Sequence, residues 1–141
     1  MFNFSFRPHK EGLSKIFGEL EAQIMEVLWR RGDASVRDVW EELNEKRPLA
    51  YTTVLSTMRN LDTKGYLHRV KSGVTHIYSP TSTQEELIRK IVNEVVDGLM
   101  DDFAQPFFAR LADLKRKDDL ATAVERMEGF LDKPSKEGKN P

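Results

Sequence analysis

Between Tyr66 and Pro80 the chain reads Tyr66-Leu-His-Arg-Val-Lys71, Ser72-Gly73, Val74-Thr-His-Ile-Tyr-Ser79 and then proline. Two β-rich segments around a short glycine-containing turn predict a hairpin, and Pro80 closes it because proline cannot donate to a ladder. With Ser72-Gly73 as the two-residue loop, Arg69 pairs with His76 and His68 with Ile77. The two strand histidines then lie on opposite faces, which argues against a shared metal site, since ligands must converge on one point. No other segment restricts the fold as much, because short amphipathic helices alone fit many architectures.

Three such helices precede the hairpin. From Phe17 to Trp29 the apolar residues Leu20, Ile24, Val27, Leu28 and Trp29 share one helical face, and Arg30, Arg31 and Gly32 supply a C-terminal stop. Ser35 caps a second helix with the stripe Val36, Val39, Trp40 and Leu43, ended at Arg47-Pro48. A third helix runs from about Ala50 to Thr63. Centring its buried side on Val54 brings Tyr51, Met58 and Leu61 beside it and leaves Leu55 at the margin. Lys64-Gly65 ends it. Three helices and then a hairpin is the order of a winged helix-turn-helix domain, expected over residues 13–80. Residues 1–12 lack helical periodicity and read as a flexible N-terminal arm, from which Arg7 and Lys10 can reach a DNA backbone.

A second, helical region is expected over 81–132. Ser82 followed by Glu85 has capping-box spacing. The helix it opens carries Leu87, Ile88, Ile91, Val92, Val95, Val96, Leu99 and Met100 on one broad face. Phe103, Phe107, Phe108, Leu111 and Leu114 continue that surface past Pro106, and Leu120, Val124, Met127 and Leu131 follow at coiled-coil spacing. So large a stripe is expected to be covered by a second copy, with Leu87, Ile91, Val95, Leu99, Phe103, Phe107, Leu111, Leu120, Val124 and Met127 at the dimer interface. Folding back on the chain's own first domain is the alternative. Residues 133–141 have the composition of a disordered tail.

Composition removes several classes of function. The absence of cysteine excludes disulfides, thiolate metal sites and thiol redox chemistry. No apolar run approaches the roughly 18 residues of a membrane span, and the first residues lack a signal-peptide core, so a cytoplasmic location without membrane insertion is expected. With only His9, His68 and His76 for imidazole chemistry, no enzyme is expected, and no cofactor. The net charge of −1 hides a bias: between Arg47 and His76, five basic residues face Asp62 alone. Local positive potential of this kind suits contact with phosphates.

The third helix is unusual in what it exposes. Solvated helix faces ordinarily carry Glu and Lys. Here the outer face is Thr52, Thr53, Ser56, Arg59, Asn60 and Thr63, with no acid among them. Small hydroxyls let a helix sit deep in a major groove, Arg prefers guanine and Asn can pair with adenine. Tyr51 joins this set. At the hairpin tip Arg69, Lys71, Ser72 and the Gly73 backbone are placed to touch phosphate or a minor groove, positioning the protein without specifying sequence. The expected partner is double-stranded operator DNA. Two further readings are a winged helix that docks only on protein, disfavoured by the acid-free face, and a ligand-responsive regulator with Phe103, Phe107 and Phe108 lining a pocket.

The run Ile24-Met-Glu-Val-Leu-Trp29, then Gly32, Ser35-Val-Arg-Asp-Val39, Tyr51-Thr-Thr-Val54, Leu61, Lys64-Gly65 and Tyr78-Ser-Pro80, resembles the penicillinase-repressor family over roughly residues 13–131. The resemblance implies a homodimeric winged-helix repressor that grips a palindromic operator, with Tyr51 to Asn60 on the recognition helix and the C-terminal helices forming the dimer. Copper-responsive members carry a cysteine-rich tail, which this chain lacks. Members that respond to β-lactams are released when a membrane sensor protease cuts the dimerisation region, and the corresponding stretch here is Met100-Asp-Asp-Phe103-Ala104.

Overall fold

The computed structural model describes residues 4–116 and 118–132. The tail 133–141 and the side chain of Leu120 lie outside the described residues. Two compact units divide at Thr83/Gln84.

In the first unit, α1 (Glu19–Arg31), β1 (Ala34–Ser35), α2 (Val36–Lys46), α3 (Tyr51–Thr63), β2 (Leu67–Ser72) and β3 (Thr75–Pro80) follow in order. The stops are those read in the sequence. Gly32 takes a φ of 95°, open to glycine and costly for other residues, and ends α1. Ser35 and Asp38 cap α2 reciprocally: the Asp38 N–H donates to Ser35 Oγ, and the Ser35 N–H donates to the Asp38 carboxylate. The loop into α3 is held by two further bonds, from Trp40 Nε1 to the Leu49 carbonyl at 2.8 Å and from the Leu49 N–H to Asn44 Oδ1 at 2.9 Å. The aim of α3 is therefore set by α2. Ile24 and Leu28 of α1, Val39 of α2, and Val54, Met58 and Leu61 of α3 are fully buried and form the core. Phe17 and Tyr66 meet edge-to-face at 4.9 Å to close one side of it.

The three strands are antiparallel in the order β1-β3-β2, with β3 central. Ser72 pairs with Thr75, Lys71 with His76 and Arg69 with Tyr78. The loop is therefore Gly73-Val74, one residue later than the expected Ser72-Gly73, and each cross-strand partner moves by two residues. The reason lies at Gly73, whose φ is 65°. A primed hairpin turn needs positive φ at its first central residue, which glycine supplies freely and serine does not. A shift of two preserves the alternation of faces, so His68 and His76 still lie on opposite faces. Leu67 and Tyr78 turn inward and are buried.

The N-terminal segment, expected as a flexible arm, hydrogen-bonds to the turn that follows it. The Arg7 guanidinium donates to the carbonyls of Ser14 at 3.2 Å and Phe17 at 2.6 Å, and the Arg7 N–H donates to the Lys15 carbonyl at 2.8 Å. Lys15 Nζ donates to the Pro8 and Lys10 carbonyls. Arg7 is thus a staple across a 3-10 turn at Gly12–Lys15 and is not presented to a partner.

The second unit consists of α4 (Gln84–Asp102), α5 (Ala104–Arg116) and α6 (Asp118–Asp132). Because α4 starts at Gln84, the residue before it is Thr83, one later than the Ser82 cap expected from spacing. Phe103 is the single non-helical residue between α4 and α5. Helical bonding nonetheless runs through it: its N–H reaches the Leu99 carbonyl at 2.8 Å, and the Phe107 N–H reaches its own carbonyl at 3.0 Å. Pro106 falls in the first turn of α5, where a missing N–H costs little.

Candidate nucleic-acid interface

With Val54, Met58 and Leu61 fully buried, the opposite side of α3 has to face outward, and Thr52, Thr53, Ser56, Arg59, Asn60 and Thr63 are all exposed. The hydroxyl of Ser56 donates to the Thr53 carbonyl at 3.2 Å, and that of Thr63 to the Arg59 carbonyl at 3.0 Å. These hydroxyls therefore offer acceptor lone pairs outward and become outward donors only on rotation. Arg59 supplies the strong donor of the face. Tyr51 departs from its expected place on the buried side: it is 40% exposed, its ring set edge-on against Trp40 at 5.9 Å. Trp40 in turn donates its Nε1–H to the Leu49 carbonyl, so the Tyr51 ring rests edge-on against an anchored indole beside the exposed face.

The wing is placed differently from its sequence reading. Arg69 lies 3.6 Å from the Asp62 carboxylate on α3, so this cation and the acid nearest the exposed face hold each other. Lys71 and Ser72 are exposed. Between the wing and the helices runs an open groove of about 370 Å³, lined by Arg37 from α2, Tyr51, Leu55 and Arg59 from α3, and Val74 and His76 from the wing. No carboxylate lines it. Arg37, Val74 and His76 are absent from the expected interface. Val74 was hidden because the loop lies one residue later than expected. Arg37 was hidden because residue spacing along α2 says nothing about where the wing returns.

Two carboxylates anchor this frame. Burial pushes the Glu21 carboxyl up, but the Gly18 N–H, the Lys64 ammonium and the nearby Arg7 charge outweigh it and hold it below its ordinary 4.5. The Lys64 contact is 2.9 Å and ties the end of α3 to α1. Asp38 is lowered from 3.8 by the Ser35 N–H first, then by the Ser35 hydroxyl and Arg31, against a smaller opposing effect of burial.

The expected dimer residues divide into groups. Leu87 and Ile91 are buried in the single chain. Val95 and Phe107 are half-buried. Leu99, Phe103, Leu111, Val124 and Met127 are exposed, Phe103 to 59%, and so are Ile88, Val92, Met100 and Phe108. No helix among the described residues is long and apolar enough to cross a membrane.

The model of the penicillinase repressor family matches residues 17–131. The transcriptional regulator BlaI of Mycobacterium tuberculosis, in both strain CDC 1551 / Oshkosh and strain H37Rv, is 36% identical over 83 residues. The match covers 58% of this chain, and the chain spans 58% of the length of those relatives. Among solved structures, the DNA-binding domain of the repressor BlaI is similar with a TM-score of 0.46 and 23% identity, covering 50% of this chain and 85% of that one. Monomeric Bacillus licheniformis BlaI in complex with the blaP half-operator is similar with a TM-score of 0.44 and 23% identity, over the same shares of the two chains.

Proposed function

The chain belongs to the penicillinase repressor family, and from that premise we propose that it is a cytoplasmic transcriptional repressor that grips a palindromic operator as a homodimer. The observation that carries the reading is the exposed face of α3. Three fully buried apolar residues hold it outward, and it bears hydroxyls, one guanidinium and one amide without a carboxylate. Such a face enters a major groove without repelling phosphate, and Arg59 and Asn60 supply the side chains that read base edges. Lys71 and Ser72 on the wing add contacts to the backbone.

The dimer is supported by the exposed apolar residues of α4, α5 and α6, too many on adjoining helices for an isolated soluble chain. Two DNA-binding units on one frame make the second binding event intramolecular, which gives a repressor its affinity. Release would follow from cutting near Phe103, the exposed non-helical residue between α4 and α5, by a membrane sensor protease. Footprinting on the DNA upstream of the chain's own gene, with sedimentation of the same sample, tests the whole reading. A two-fold symmetric footprint and a dimeric mass are expected. A strict monomer at micromolar concentration would reject the dimer, and the lack of any protected site would reject the repressor.

A further inference from the structure

Turn tips ordinarily carry Gly, Asn, Asp or Ser. This wing places Val74 there, a β-branched apolar residue that is 98% exposed, beside Gly73 in its left-handed conformation. Val74 is not a stray surface residue on an otherwise ordinary edge. It stands at the rim of the groove that separates the wing from α3, and the ionisable side chains lining that groove are Arg37, Arg59, His76 and two tyrosines. Arg37 is paired on its own helix with Glu41 at 3.5 Å, an exposed contact that a phosphate can replace. From Thr63 to Gln84 the chain contains no Asp or Glu.

We propose that one phosphodiester strand lies in this groove and that Val74 reaches past it into the adjacent minor groove, where it selects A·T over G·C pairs. The inference rests on the reading of α3 as the helix that enters the major groove. The selectivity is chemical. Guanine projects its N2 amino group into the minor groove, whereas A·T pairs present only acceptors there. Isopropyl methyls packed against that amino group strip water from a donor and return no hydrogen bond. Over an A·T pair they meet sugar and a floor without that donor. Arg37 and His76 supply the polar contacts to the strand between the two grooves, and their task is positioning.

The test uses the full chain and the duplex it selects from a randomised library. The pairs under the wing, located by protection of adenine N3 from methylation, are then set to A·T, G·C or I·C. Inosine keeps the major-groove face of guanine and lacks the N2 amino group, so it isolates the minor groove. The wild type is expected to bind the A·T and I·C duplexes alike and the G·C duplex about tenfold more weakly, the scale of one disfavoured pair. Val74→Ser, at a site too exposed to affect folding, should bind all three alike. Equal binding of the three duplexes by the wild type, or discrimination unchanged in Val74→Ser, overturns the proposal while leaving the repressor reading intact, because the duplex is still bound. Failure to select any duplex overturns both.

Discussion

The Arg69 guanidinium of β2 lies 3.6 Å from the carboxylate of Asp62 on α3, so the one acid between Arg47 and Gln84 is neutralised by a cation from the wing. This pair couples the wing to the helix it flanks. Both side chains are about one-third exposed, so the ion pair itself contributes little stability, on the order of 0–1 kcal/mol. Its larger effect is on the field that DNA meets. Asp62→Asn is expected to leave the melting temperature within a few degrees of wild type, to raise affinity for non-specific DNA about two- to three-fold, and to steepen its salt dependence, because Arg69 becomes available to phosphate. A salt titration by fluorescence anisotropy reads this. An unchanged slope would mean that Arg69 is not within reach of the backbone.

Arg59 is the strong donor on the exposed face of α3, and Ser56 lies one turn before it. Arg59→Ala is expected to cost about 1–3 kcal/mol on the operator and far less on random duplex. Ser56→Ala should follow in the same direction with a smaller loss, since its hydroxyl already donates to the Thr53 carbonyl. Competition gel shifts with both DNAs decide the matter. Equal losses on both would assign Arg59 to the backbone.

Leu99 and Phe103 are exposed at the end of α4 and just beyond it. A double change, Leu99→Asp with Phe103→Asp, should convert the proposed dimer to a monomer and weaken operator binding about 10²- to 10⁴-fold through loss of the intramolecular second event. The first unit should be left folded. Sedimentation velocity and circular dichroism check the two halves of this statement. A dimer that survives both aspartates would place the interface elsewhere.

Glu21 and Asp38 both have lowered carboxyl pKa values, so each binds protons more weakly in the folded chain than in the unfolded one. Their stabilising contribution is present above the ordinary values of 4.5 and 3.8, and it is lost as pH falls through those values and then through the lowered ones. Urea melts between pH 7 and pH 3 should show stability falling below about pH 4.5. Glu21→Gln, which removes the charge facing Lys64 and Arg7, should cost about 1–2 kcal/mol at pH 7 and flatten that fall. If the mutant and the wild type lose stability in parallel on acidification, Glu21 is not one of the groups responsible.

What the sequence alone determined about this protein is local. A glycine after two arginines ends α1, Ser35 with Asp38 opens α2, and Arg47-Pro48 closes it, because caps and breakers act within a few residues of themselves. The spacing of Val54, Met58 and Leu61 likewise decided which side of α3 is buried, and hence that its outer side carries Thr52, Ser56 and Arg59. Only the tertiary structure decided what depends on distant partners. Gly73 set the hairpin loop one residue later than its composition suggested, and so brought Val74 to the tip. Arg7 turned from an arm into a staple, because the carbonyls that receive it belong to a turn formed after it in the chain. Leu87 and Ile91 share a stripe with Ile88, Val92 and Leu99 that periodicity treats as one surface, and folding buries the first two while leaving the others exposed. Periodicity reports which residues share a face, but burial depends on what that face meets, and that is a property of the assembled chain.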